Sequence, residues 1–164
     1  MDLQQLQTTY AQTGCVQALC LRPARKAAAQ TPNEVWAVAE QGLQGDRYAN
    51  RGGNRQVTLI QAEHVQAVAS FLGRASIDFA LTRRNILVSG LNLLALKGSY
   101  FEVGEALLQY TGECHPCSRM EEVLGAGGYN AMRGHGGITA KVIRGGKICQ
   151  GDSVRAVMGP VHSG

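Results

Sequence analysis

The chain has 164 residues, 45% of them hydrophobic and only 17% charged, which suits one packed domain and excludes the apolar-poor, highly charged class of disordered chains. Sixteen Lys and Arg against 12 Asp and Glu leave a net charge of +4, too small for a nucleic-acid binder, and 5% aromatic residues offer few platforms for stacking bases. The start Met1-Asp2-Leu3-Gln4-Gln5 has no basic region followed by an apolar one, and no stretch approaches the ~20 apolar residues of a membrane span, so the reading is a soluble, cytoplasmic protein with no membrane partner.

Residues 1–14 are polar and Gln/Thr-rich and read as a lead-in or a frayed helix. Cys15 to Leu21 is a short apolar run stopped by Pro23, which predicts a first strand, and Val35 to Ala39 predicts a second. Gln41 to Arg55 carries four glycines and three arginines with almost nothing to bury, and is predicted as a long loop. Gln56 to Ile60 is β-branched and apolar. It leads into Ala62, Val65, Val68, Ala69 and Leu72, whose spacing predicts a helix ended by Gly73. Strands follow at Asn85 to Ser89, Tyr100 to Val103 and Ala106 to Thr111. Ser118 to Leu124 has the composition of a two-turn helix entered at Pro116 and ended by Gly125, which sets Cys117 near a helix N-terminus.

Ile138 to Ile143 and Val154 to Val157 complete the strands, with Arg144 to Lys147 predicted as a hairpin turn and Gln150 to Ser153 as another turn. Seven or eight short strands with one clear helix predict a mainly β fold with a few helices, a barrel or folded sheet. The expected boundaries are a lead-in at 1–14, one domain at 15–158 and a tail at 159–164.

Five cysteines, odd in number and irregular in spacing, do not form a secreted disulfide framework, so the thiols are read as reduced. Cys114-His115-Pro116-Cys117 is open to four chemistries. A structural zinc needs two more ligands, and Cys149, His135, His162, His64, Cys15 and Cys20 supply no second pair at the usual spacing, so no zinc is expected. A thioredoxin-type centre normally follows the first strand of a βαβ unit, whereas this pair falls late in a β-rich chain. A single reactive thiol at Cys117 is favoured by the helix N-terminus and by Arg119, while Glu113, Glu121 and Glu122 act against it. The fourth possibility is two cysteines packed as small hydrophobes; beside a reactive Cys117, Cys114 is either a resolving thiol or a packed bystander. Arg47, Arg51 and Arg55, and the adjacent Arg83 and Arg84, make local cation clusters that favour a small anionic ligand. The bland alternatives are a solvated loop and an exposed strand start; His115 and His135 read as surface residues.

Taken in order, Gly42-Leu43-Gln44-Gly45-Asp46, Arg55-Gln56-Val57-Thr58-Leu59 with Glu63, Arg83-Arg84-Asn85-Ile86, Gly90, Leu96-Lys97-Gly98, Cys114-His115-Pro116-Cys117, Gly136-Gly137 and Gly145-Gly146-Lys147-Ile148 with Gly151-Asp152 resemble the MOSC family. That domain stands at the C-terminus of molybdenum cofactor sulfurases and in molybdopterin-dependent reductases of N-hydroxylated compounds. The resemblance implies a closed or partly closed β-barrel of the pyruvate-kinase-barrel type. It implies that the residue matching Cys117 carries a persulfide or ligates molybdenum. It further implies that Arg83 and Asn85 contact the phosphate and pterin of the molybdenum cofactor (molybdopterin), with Arg84, Arg55 and Gln56 as further cofactor-binding candidates. The chain has room neither for the extra domain of the reductases nor for the pyridoxal-phosphate desulfurase unit of the sulfurases. Pyridoxal phosphate therefore belongs to a partner, a cysteine desulfurase or another sulfur donor, and reductase activity would need an external redox partner. A non-catalytic barrel that binds an anion or a partner is the third functional reading.

Overall fold

The computed structural model describes residues 1–49 and 52–157, so Arg51 of the predicted loop and the predicted tail at 159–164 lie outside the described residues. The described residues form ten strands: β1 Gly14–Leu19, β2 Glu34–Val38, β3 Gly42–Leu43, β4 Val57–Gln61, β5 Ile86–Ser89, β6 Tyr100–Val103, β7 Ala106–Glu113, β8 Ile138–Arg144, β9 Gly146–Cys149 and β10 Ser153–Val157. The helices are α1 Leu3–Gln7, α2 Ala62–Phe71, α3 Ser118–Leu124 and α4 Gly128–Met132, with 3-10 turns at Phe79–Thr82 and Leu93–Leu96. Seven strands close a barrel in the order β1-β10-β6-β7-β8-β4-β5, so the expected barrel is fully closed. All its pairs are antiparallel except β4 with β5, where α2 supplies the crossover that a parallel pair requires.

Alternation explains which residues fill it. Val57 and Leu59 of β4 belong to the barrel core with Ile86, Val88, Phe101, Leu108, Ile138 and Val142. Ile60, one position on, belongs to a second cluster with Val65 and Val68 of α2, Met120 and Leu124 of α3, and Met132 of α4. Successive side chains of a strand point to opposite faces, so β4 is buried on both, inward against the barrel and outward against the helices.

Three expectations are corrected. The residues 41–55 are not all loop, because Gly42–Leu43 pairs with β2 and Leu43 is fully buried in the core. The residues 144–147 do not close a hairpin: β9 leaves β8 and pairs antiparallel with β2, making a small sheet β3-β2-β9 beside the barrel. Lastly, α4 is an additional helix. It opens on glycines and is too short to stand on propensity, and it packs against α2 and α3.

A carboxylate organises the corner between α3 and α4. Glu121 accepts the backbone N–H groups of Gly127 at 2.8 Å and Tyr129 at 2.9 Å. These bonds hold the Glu121 carboxyl below the ordinary carboxylate pKa, Tyr129 contributing most, against a small opposing effect of burial. A depressed folded-state pKa contributes stability above the unfolded value and loses it as pH falls through the folded one. Glu121→Gln is therefore expected to lower the urea midpoint at neutral pH and to match the wild type once both are measured in acid below the carboxylate range.

Candidate functional site

One cavity of about 180 Å³ gathers most of the predicted site residues: Arg55, Arg83, Arg84, Asn85 and Cys117 all line it. It lies where β1 ends and β5 begins. Cys20 N–H donates to Asn85 C=O at 2.7 Å and Asn85 N–H to Thr58 C=O at 3.0 Å, so Asn85 continues the ladder on both sides. Its side chain then reaches the same neighbours. Oδ1 accepts from the Thr58 N–H at 3.0 Å and the Thr58 hydroxyl at 3.1 Å, while Nδ2 donates to Cys20 C=O at 3.1 Å and to Asp46 Oδ1 at 3.3 Å. Two donors and two acceptor sites are all the amide has. The side chain is 7% exposed and its hydrogen-bonding capacity is used within the fold.

Arg84 behaves similarly. The residue is 4% exposed, and its guanidinium donates from Nε to Gly136 C=O at 2.7 Å, from Nη1 to Thr82 C=O at 3.0 Å and from Nη2 to Cys114 C=O at 3.4 Å. Burial lowers its pKa; the Cys114 thiol opposes this, Arg55 adds to it, and Cys117 and Tyr48 oppose it in turn. The Gly136–Gly137 pair makes the approach possible. A Cβ on Gly136 would collide with the Cys114 carbonyl, and Gly137, at φ +85°, would set one on the Leu59 carbonyl. Arg84 thus braces the segment that leads to Cys117.

Arg83 differs from both. It ends the Phe79–Thr82 turn in the left-handed region at φ 63° and ψ 25°, a conformation that costs a non-glycine residue about 1–2 kcal/mol. Among the described residues its guanidinium has no hydrogen-bond acceptor or carboxylate partner. Burial lowers its pKa, the Arg22 and Arg119 cations push the same way, and Tyr48 and Cys117 oppose them. Strain and unneutralised charge at one residue are characteristic of functional positions.

Around Arg83 the wall holds the guanidiniums of Arg22, Arg47, Arg55 and Arg84 and a single carboxylate, Asp46. Asp46 is already engaged by the backbone N–H groups of Arg22 at 3.0 Å and Tyr48 at 3.3 Å besides Asn85. Asp46 therefore ties its loop to the barrel. Arg47 and Arg55 stand 5.0 Å and 5.5 Å from the Tyr48 ring centre, within cation–π range. The cavity is thus a cationic cup with an exposed thiol, Cys117, at its edge.

Not every candidate arrives there. Gln56 lies outside, with its carboxamide accepting from Val142 N–H at 3.0 Å and donating to Gly53 C=O at 3.1 Å. Cys114 is buried and lines a separate small cleft with Glu113, His115 and Gly137. The second thiol on the main cavity is Cys20, whose pKa burial raises. Arg22 and Cys20 carry no motif, and only their place after β1 brings them in. His135 is not a loose surface residue: its ring meets His64 edge-on at 4.8 Å and Phe71 at 5.5 Å, away from the cup. Among the described residues no three His, Cys, Asp or Glu side chains gather as a metal-binding group, and no helix is long and apolar enough to cross a membrane.

A closed barrel with a cationic cup and an exposed cysteine at the cup defines a small, thiol-bearing β-barrel protein. The MOSC domain model matches residues 44–155, and the chain belongs to the MOSC domain family. A comparison with curated proteins gives no match. Among solved structures, the YuaD protein of Bacillus subtilis is 21% identical with a TM-score of 0.76, over 87% of this chain and 94% of that one. YiiM of Escherichia coli is 22% identical with a TM-score of 0.68, over 91% of this chain and 71% of that one. YiiM of Geobacillus stearothermophilus is 17% identical with a TM-score of 0.68, over 92% of this chain and 78% of that one. At these identities the likeness shows a shared fold.

The geometry separates Asn85 from Arg83 experimentally. Asn85→Ala takes the side-chain partner from the Thr58 N–H and the Cys20 carbonyl and one of three donors from Asp46, and should lower the unfolding free energy by about 2–4 kcal/mol in urea titrations; an unchanged midpoint with lost phosphate binding would make it a ligand contact instead. Arg83→Gly should raise stability by about 0.5–1 kcal/mol through relief of the left-handed backbone. The same variant should weaken inorganic phosphate binding roughly tenfold by calorimetry.

Proposed function

We propose that this protein is a thiol-dependent sulfur-transfer domain in which Cys117 accepts a sulfane sulfur and the arginine cup holds an anionic group beside it. The observation that carries this reading is one cavity shared by the exposed Cys117 and the guanidiniums of Arg22, Arg55 and Arg83. In the transfer step the Cys117 thiolate attacks the terminal sulfur of a donor persulfide. A sulfur–sulfur bond forms on Cys117, the donor's own sulfur–sulfur bond breaks, and the donor leaves as a thiolate. No external oxidant or reductant enters the balance. The terminal sulfur of a persulfide carries negative charge, which guanidiniums favour in a partly dehydrated cup. Asn85 and Arg84 serve as positioning residues, since their polar atoms are spent on the backbone around the cup. The donor is a cysteine desulfurase or an equivalent persulfide-bearing protein, and the setting is soluble and cytoplasmic.

A second reading rests on the Arg83 guanidinium, which has no anionic partner among the described residues. Arg83, Arg22 and Arg55 would hold the phosphate of a molybdenum cofactor and Cys117 would ligate its metal. Bound there, that cofactor supplies two-electron redox chemistry to N-hydroxylated compounds, with electrons from a redox partner. The residues fit its phosphate and its metal. They do not fit the pterin contact expected of Asn85, whose amide is saturated. The cavity also falls below the ~300–1,000 Å³ of sites that enclose a whole ligand of that size, so it takes a head group only.

Incubation with L-cysteine and a cysteine desulfurase should add one sulfur atom to Cys117 by intact-protein mass spectrometry, with the adduct lost in Cys117→Ser and kept in Cys114→Ser. Molybdenum and pterin fluorescence in protein from a cofactor-producing host, with no persulfide formed, would instead establish the cofactor reading. Neither signal, together with Cys117 alkylation at the rate of an ordinary free thiol, would leave a non-catalytic anion-binding barrel.

A further inference from the structure

Beyond the Arg22–Arg83 wall of the cup lies a second, shallower depression of about 410 Å³ that shares those two arginines. Its remaining cations are Lys26 and Arg119, and no carboxylate lines it. Glu122 meets Arg119 at 3.1 Å with 62% of its side chain exposed, and Asp78 is turned to the Ala80 N–H at 3.0 Å. The floor is apolar: Leu81 is 36% exposed and Val123 37%, between Ala27, Ala29 and Ala80. Leu81 belongs to the turn that carries Arg83, and Val123 to the helix that begins after Cys117. The depression therefore involves both elements that present Cys117 and Arg83 to the cup.

We propose that this groove docks an acidic, leucine-bearing segment of the protein that delivers sulfur to Cys117. The inference rests on the sulfur-transfer reading for its purpose and on charge and shape for its content. Three features select a protein segment over a small molecule. The floor is open, whereas small-ligand sites enclose most of their ligand. Apolar side chains and cations line it together, which suits a segment that carries both carboxylates and apolar residues. The depression also shares Arg22 and Arg83 with the cup, so a segment docked there lies next to the cavity that Cys117 lines and presents carboxylates to Lys26 and Arg119. Charge complementarity of this kind mainly raises the association rate and sets partner choice.

The test uses the full chain and a short fluorescein-labelled peptide alternating glutamate and leucine, against its lysine–leucine counterpart. At low salt the acidic peptide should bind at least about tenfold tighter by anisotropy, and the preference should fade toward ~1 M salt. Lys26→Glu with Arg119→Glu should abolish the preference, and Val123→Ser should weaken acidic-peptide binding severalfold while leaving inorganic phosphate binding in the cup unchanged. Equal binding of both peptides, or a preference that survives the double charge reversal, overturns the proposal. So does loss of molybdenum or pterin from the charge-reversed protein with peptide preference intact, which would give the groove to a small molecule. Inorganic polysulfide separates the two readings: failure to load sulfur on wild-type Cys117 removes the sulfur-transfer reading, while the anisotropy result still decides what the groove binds.

Discussion

The carboxamide of Asn85 is the constraint on which the cup depends. Through four hydrogen bonds it joins the end of β1 at Cys20, the outward face of β4 at Thr58 and the Asp46 loop, three segments far apart in sequence. A polar group of this kind, buried and fully satisfied, specifies one arrangement of the segments around it, because each alternative strands a donor or acceptor away from water. Arg22, Arg47 and Tyr48 reach the cup because Asp46 is held, and Asp46 is held in part by Asn85. Arg84 does the corresponding work for the segment before Cys117, collecting carbonyls from Thr82, Cys114 and Gly136.

A division of labour within Arg83-Arg84-Asn85 follows from this. Three successive polar residues precede a strand, and the alternation of the chain sends them to different surroundings. Arg84 and Asn85 are spent on the fold. Arg83 remains with a strained backbone and a cation that Arg22 and Arg119 make more costly to keep. Of the three, the residue least accommodated by the fold is the one left with a guanidinium to offer an anion.

How much of this could be read from the residues depends on range. Strands β4 and β6 and helices α2 and α3 were legible because their apolar periodicity and their glycine or proline stops are local. The barrel followed from many short strands at tight spacing. Strand β9 was misread as part of a hairpin, since Arg144-Gly145-Gly146-Lys147 satisfies turn chemistry and only its pairing with β2, a distant segment, overrides it. Leu43 was lost among glycines for the same reason. At the site, Cys117 and Arg83 stood out by type and motif. The saturation of Asn85 and the arrival of Cys20 and Arg22 depend on which strand ends meet, and no spacing rule encodes that. Gln56 was drawn toward the site by its neighbour Arg55, whereas strand alternation turns its carboxamide to Val142.

The order of strands around the barrel also bears on how the chain is made. β10 is inserted between β1 and β6, so the first strand and the last described strand are neighbours. During synthesis β1 and β6 wait with unpaired edges until β10 has left the ribosome, a state open to pairing with other chains. Until that strand arrives the ring has a gap between β1 and β6. The cup, built at the β1–β5 junction, takes its lining from Cys20 to Met120, so every residue of it leaves the ribosome before the strand that closes the ring.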